Sequence, residues 1–190
     1  MMTKFFVWWF KWKGWKVNNG VPAGIQQAVA IAAPHTSNWD FIYTLAACKI
    51  MGVPLRYLAK KELFFWPLRI LLYATGAIPV QRSSASNLVT DMAALFQKNK
   101  QLILLIPAEG TRGKVSYWKS GFYHTAIQAN VPVLLGYLDY AKKEAGFGGG
   151  EKMTGDVDAD LKKISSFYAD KTGKRPELFD LASIRFKQKS

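Results

Sequence analysis

Leu102-Ile103-Leu104-Leu105-Ile106 is an unbroken run of five aliphatic residues, and no other stretch constrains the fold as tightly. A strand with no polar alternation has both faces covered, as in the middle of a parallel sheet with helices on either side. The flanking sequence repeats the theme. Short apolar runs at 28–33, 55–59, 77–80 and 133–138 read as further strands. Amphipathic stretches at 38–51, 66–74, 86–97 and 117–129 read as the helices between them, and a last helix starts near Thr154 or Asp156 and runs to about Tyr168. Alternation of this kind predicts an α/β fold: a single domain with a mostly parallel central sheet flanked by helices. The 190 residues suit one domain, and neither an internal repeat nor an interdomain linker interrupts them. Gly146-Phe147-Gly148-Gly149-Gly150 breaks the pattern and reads as a flexible loop. It matches neither the P-loop spacing nor the dinucleotide fingerprint, and no G-x-S-x-G elbow occurs.

Charge narrows the partners. Lysine and arginine number 26 against 13 acids, a net charge of +13, which calls for an anionic partner such as nucleic acid, anionic lipid or a phosphorylated or CoA-like substrate. The first acid is Asp40, preceded by Lys4, Lys11, Lys13 and Lys16. One cysteine and two histidines exclude an internal disulfide and a Cys₂His₂ or Cys₄ zinc cage, so no metal site is expected. The apolar run at 5–10 is six residues long, far below the roughly 20 that span a bilayer, and no signal-peptide cleavage site follows closely. Wound as a helix, Phe5, Trp8, Trp12 and Trp15 share one arc beside Lys4 and Lys11. Aromatic rings flanked by lysines suit a helix lying in lipid headgroups; packing on the domain or on a partner is the alternative. Residues 1–25 are therefore read as an amphipathic membrane-associating segment ahead of a domain at 26–190. The expected location is peripheral, on the cytoplasmic side of a membrane, with no transmembrane span.

Three segments follow predicted strands, where open α/β sheets place their ligands. The first is Pro34-His35-Thr36-Ser37-Asn38-Trp39-Asp40. A histidine in the turn and a carboxylate at the head of the next helix can form an oriented base, with the acid holding the tautomer. Ser37-x-x-Asp40 also resembles a capping box, a purely structural use of the same carboxylate. The second segment, Gly76 to Arg82, and the third, Pro107-Ala108-Glu109-Gly110-Thr111-Arg112, each end in an arginine whose planar fork suits phosphate oxygens.

Together these segments resemble the glycerolipid acyltransferase family, which acylates lysophospholipids such as 1-acylglycerol-3-phosphate. His35-x₄-Asp40 matches its H-x₄-D block, Gly76 to Arg82 its second, Glu109-Gly110-Thr111-Arg112 its third, and Val131-Pro132-Val133 is similar to its fourth. The resemblance covers residues 28–138, in the family's order. It implies that His35 removes the proton of the acceptor hydroxyl while Asp40 orients it, with direct attack on an acyl thioester and no acyl-enzyme. It implies that Arg82, Glu109, Gly110, Thr111 and Arg112 serve the acceptor's glycerol phosphate. Acyl-CoA or acyl carrier protein would be the donor, a lysolipid the acceptor, an anionic membrane surface the setting, and no cofactor would be needed. Pro34, Pro79, Gln81 and Ala108 depart from the usual blocks without removing a presumed reacting group, and they leave another lysolipid or polar lipid as the alternative acceptor. Cys48 and His124 are read as structural. A lipid or thioester hydrolase using the same pair is the rival enzyme. A membrane- or nucleic-acid-binding module would leave four ordered blocks unexplained, so no nucleic acid is expected.

Overall fold

The computed structural model describes residues 2–81 and 85–187. Among them, helix α1 (Met2–Trp12) and a short strand β1 (Lys16–Val17) precede β2 (Gln27–Ala32), α2 (Trp39–Ile50) and β3 (Leu55–Lys60). A 3₁₀ turn at Lys61–Leu63 leads into α3 (Leu68–Ala74), β4 (Ala77–Val80), α4 (Ala85–Lys98) and β5 (Leu102–Leu105). The chain then forms α5 (Gly121–Ala129), β6 (Val133–Asp139), β7 (Glu144–Glu151) and α6 (Val157–Tyr168). The strands make one seven-stranded sheet in the order β1-β7-β6-β2-β5-β3-β4. Every pairing is parallel except β6 with β7. The predicted architecture is therefore the one observed.

The aliphatic run sits where its composition demands, with β5 between β2 and β3. On one face, Val29, Ile31, Leu104 and Val133 meet Trp118, Phe122 and Tyr168 beneath α4, α5 and α6. On the other, Ala28, Ala30 and Leu134 face Cys48 of α2, and Phe10 and Trp15 pack on Tyr43 and Ala47 of the same helix. The last helix opens as its sequence suggests: the Asp156 carboxylate caps it by accepting from Ala159 N at 3.1 Å.

Three local expectations are corrected. The glycine stretch is not a loop but most of β7, paired antiparallel with β6. Glycine has poor strand propensity because it has no side chain to pack, yet here the missing side chains are what the neighbours need. A Cβ on Gly148 would collide with the Phe167 ring, and one on Gly146 would lie 2.7 Å from the Asn19 carbonyl. Helix α5 begins at Gly121, not near Tyr117. Trp118 is instead held extended, its N–H donating to Arg185 O at 2.9 Å beside a bridge to Phe186. Trp15 does not share the exposed arc of α1. The helix ends at Trp12, Gly14 turns the chain at φ 77°, and Trp15 stacks on Tyr43 with centroids 4.6 Å apart. No helix among the described residues is long and apolar enough to cross a membrane.

Candidate active site

Because β2 to β6 run parallel, the segments leaving their C-terminal ends gather along one edge of the sheet. The chain leaves β2 through the cis Ala33–Pro34 bond and places His35, half-buried, in the turn before α2. His35 Nδ1 lies 3.2 Å from Asp40 Oδ2. That contact assigns the ring proton to Nδ1 in the neutral imidazole and leaves Nε2 as the basic nitrogen. Asp40 itself is buried and fully engaged. Its Oδ2 also accepts from Thr36 N and Ser37 N, both at 2.9 Å, and its Oδ1 accepts from the Tyr140 hydroxyl at 2.6 Å. The two sequence readings of Asp40 thus coexist in one carboxylate, which holds the histidine and also takes the N–H groups at the head of the helix. Only half of a capping box forms, since the Ser37 hydroxyl accepts from Trp39 N at 3.2 Å and Asn38 caps α2 without a side-chain bond.

Glu109 comes from the segment after β5, and its side chain turns inward. It is 2% exposed, and its Oε1 accepts from the main-chain N–H of His35 at 2.7 Å. Burial pushes its carboxyl up to about 7, opposed chiefly by the hydrogen bond from the His35 main-chain N–H. The backbone that carries His35 is therefore pinned by the third sequence block. Gly110 continues at φ 72°, with the Lys119 stem 3.2 Å from where a Cβ would sit. Arg112 is exposed and forms no ion pair among the described residues.

His35, Gly110 and Arg112 open onto one cavity of about 850 Å³. Its walls are mostly apolar, with Phe41, Cys48 and Met51 on the α2 side and Leu88 and Met92 on the α4 side. Thr111 is exposed and faces a separate, shallower depression with Val115 and Tyr117, and Arg82 lies outside the described residues. Cys48 is a cavity wall and not a nucleophile: burial pushes its thiol up to about 12, so thiolate is scarce. His124 is exposed and borders the cavity beyond Lys119.

Sequence reasoning missed two contributors. Tyr140 lies 100 residues from Asp40 and carries no local motif. It reaches the site because β6 ends beside β2, and the rings of Trp15 and Tyr43 stand edge-on against it with centroids at 4.8 and 5.9 Å. The tail after α6 also supports the turn, where Arg175 N donates to Thr36 Oγ1 at 3.1 Å and Gly173 packs against Pro34 and Thr36.

Known proteins resemble this chain in sequence and in fold. A curated 1-acyl-sn-glycerol-3-phosphate acyltransferase of Limnanthes alba is 32% identical over 130 residues, covering 60% of this chain and 44% of that protein. The human 1-acyl-sn-glycerol-3-phosphate acyltransferase beta is 34% identical over 83 residues, covering 40% of this chain and 30% of its own length. The matched region thus spans less than half of these relatives. The crystal structure of PlsC, the 1-acyl-sn-glycerophosphate (LPA) acyltransferase of Thermotoga maritima, superimposes with a TM-score of 0.59 at 16% identity, over 87% of this chain and 74% of that one, a likeness of fold. The family model described as Acyltransferase matches residues 17–134. That stretch holds β2 to β5, the His35–Asp40 pair and the Glu109 turn, and on this match the chain belongs to the acyltransferase family.

Proposed function

We propose that the protein transfers a fatty acyl group from an acyl thioester to the free hydroxyl of a lysolipid, with 1-acylglycerol-3-phosphate as acceptor and phosphatidate as product. The observation that carries this reading is the His35–Asp40 pair, buried at its acid end and open at its histidine end onto an apolar cavity of about 850 Å³. A cavity of that size and lining suits a fatty chain. Its lining includes Arg112, unpaired among the described residues, and Lys119, and these cations suit a phosphate.

In this mechanism His35 Nε2 takes the proton of the acceptor hydroxyl as the oxygen bonds to the thioester carbonyl carbon. The tetrahedral intermediate collapses by breaking the carbon–sulfur bond, and the imidazolium returns its proton to the departing thiolate. Asp40 holds the ring, while Glu109 holds the backbone beneath it. A positioned base contributes about 10²–10⁴-fold, and holding both substrates in one cavity supplies further rate. The donor is acyl-CoA or acyl carrier protein.

The protein works at an anionic membrane surface. Phe5, Trp8 and Trp12 are 56%, 55% and 60% exposed on one side of α1, beside the exposed Lys4 and Lys11. Aromatic rings and lysines in that arrangement favour the headgroup region. The test is to supply 1-acylglycerol-3-phosphate with each donor, follow thiol release, and identify the product by mass spectrometry. Thiol release that requires the lysolipid and yields phosphatidate supports transfer. Release that ignores the lysolipid would refute it in favour of hydrolysis.

A further inference from the structure

Helix α3 leaves most of its apolar surface uncovered, with only Leu68 and Leu72 half-buried. Its sequence, Leu68-Arg69-Ile70-Leu71-Leu72-Tyr73-Ala74, is apolar at every position but Arg69, yet none of its residues is buried, nor is any in the 3₁₀ turn before it. Trp66 is 72% exposed, Ile70 61%, Phe65 58% and Tyr73 55%, with Leu63 and Leu71 also open to solvent. A contiguous apolar patch on a folded domain marks a surface with something to bind, and amphipathic helices in soluble folds normally bury their apolar stripe on their own core.

The position of this patch identifies what it meets. Helices α2 and α3 each connect a strand to one nearer the β4 edge, so right-handed crossovers put both on the same sheet face. Helix α1 packs on α2 from that side. Two separate ring contacts lie on the face between them. Trp9 of α1 stacks on Trp39 at 6.0 Å, and Phe41 meets Tyr57 edge-on at 5.2 Å. The Tyr57 hydroxyl bonds Thr75, just past α3, at 2.7 Å. Phe41 and Tyr57 also line the cavity of His35, so the sheet face that carries α1 and α3 also carries part of the cavity wall.

We infer that residues 63–73 form a second membrane-inserting element, which settles with α1 into one anionic bilayer surface and turns the cavity mouth toward the lipid. The inference rests on the membrane-surface reading of α1 and extends it to a separate part of the chain. Charge selects the occupant. Lys60, Lys61 and Arg69 are exposed around the patch against the single acid Glu62, and none of the four is ion-paired among the described residues. Cations around tryptophan and tyrosine match the headgroup region of an anionic leaflet. The same cations disfavour a symmetric dimer through this face, which would set like charges against each other. Seven helical residues are far too few to span, so the segment lies in the surface.

An environment-sensitive NBD label on I70C tests the inference in the full chain, since the buried Cys48 stays out of reach of the reagent. Adding vesicles of phosphatidylcholine and phosphatidylglycerol should blue-shift the label. The W66S/I70S double variant should sediment with those vesicles at least roughly tenfold more weakly than the parent, with an unchanged circular-dichroism spectrum. A label that does not shift, with W66S/I70S binding as the parent does, overturns this inference and leaves α1 as the sole anchor. Unaltered vesicle binding in W8S/W12S, with the label still shifting, sinks the α1 reading and the shared footing, and leaves residues 63–73 as the membrane contact. A shift that grows with protein concentration and needs no lipid, with a dimer in analytical ultracentrifugation, overturns the inference in favour of self-association.

Discussion

Replacing Glu109 by glutamine should flatten the pH dependence of stability while slowing the reaction. In the folded protein the carboxyl is lifted from its ordinary 4.5 to about 7, chiefly by burial. The folded state therefore binds this proton more tightly than the unfolded chain does. The group imposes no penalty below pH 4.5, where both states are protonated. Its penalty grows as pH rises through the window between 4.5 and about 7, then stays constant above it. At about 1.4 kcal/mol per pH unit, the gap corresponds to about 3 kcal/mol of stability lost across that window. Glu109→Gln keeps an oxygen to accept from the His35 N–H but has no proton to lose. The difference in unfolding free energy, variant minus parent, should then rise with pH by about 3 kcal/mol and level off. Urea denaturation at matched pH values on both proteins gives this difference. Its slope is the informative quantity, because the unpaired glutamine amide adds a constant cost of about 1–3 kcal/mol at every pH. Turnover should fall, because a buried negative charge near His35 favours the imidazolium formed when the proton is taken. A difference that is flat with pH, or falls, would mean that Glu109 does not titrate as a buried, raised carboxyl.

Three further outcomes are expected. His35→Ala should lose at least about 10²-fold in turnover while keeping its melting temperature, since the ring is half-buried and packs little; a folded variant retaining a tenth of the parent rate contradicts the base assignment. Tyr140→Phe removes one charge-assisted bond to Asp40, worth about 1.5–3 kcal/mol, and should lower kcat roughly tenfold or more without raising either KM; unchanged kcat would mean that Tyr140 only packs against Trp15. Cys48→Ala should keep the chemistry intact, and native Cys48 should resist alkylation at neutral pH, because its thiol is pushed up to about 12; rapid labelling of the folded protein contradicts its burial.

Much of the architecture was legible in local patterns. The five aliphatics at 102–106 demanded a strand covered on both faces, and β5 lies inside the sheet. His35, four residues and Asp40 already suggested an oriented pair, because a turn followed by the first turn of a helix fixes their approach within a few residues. What escaped was non-local. The glycines of β7 looked like a loop because strand propensity measures packing of the residue's own side chain. Here the packing belongs to Phe167 and Asn19, which approach a backbone stripped of side chains. Trp15 looked like part of an amphipathic arc because periodicity assumes that the helix continues, and Gly14 ends it.

Local sequence thus specified the layered α/β fold and the order of its strands and helices along the chain, and it offered His35 and Asp40 as a pair while leaving a helix-capping use of Asp40 open. Each of these depends on contacts spanning a handful of residues or on apolar period. The tertiary structure alone decided what each acid does. Glu109 and Asp40 are both carboxylates near a turn, but β5 and β2 lie side by side, so one is driven under the His35 backbone while the other stays on its ring. It also decided that Tyr140 completes Asp40 and that α3 is left mostly uncovered. Strand order and crossover choose which distant side chains share an edge, and a buried charge takes its role from whichever donors arrive there.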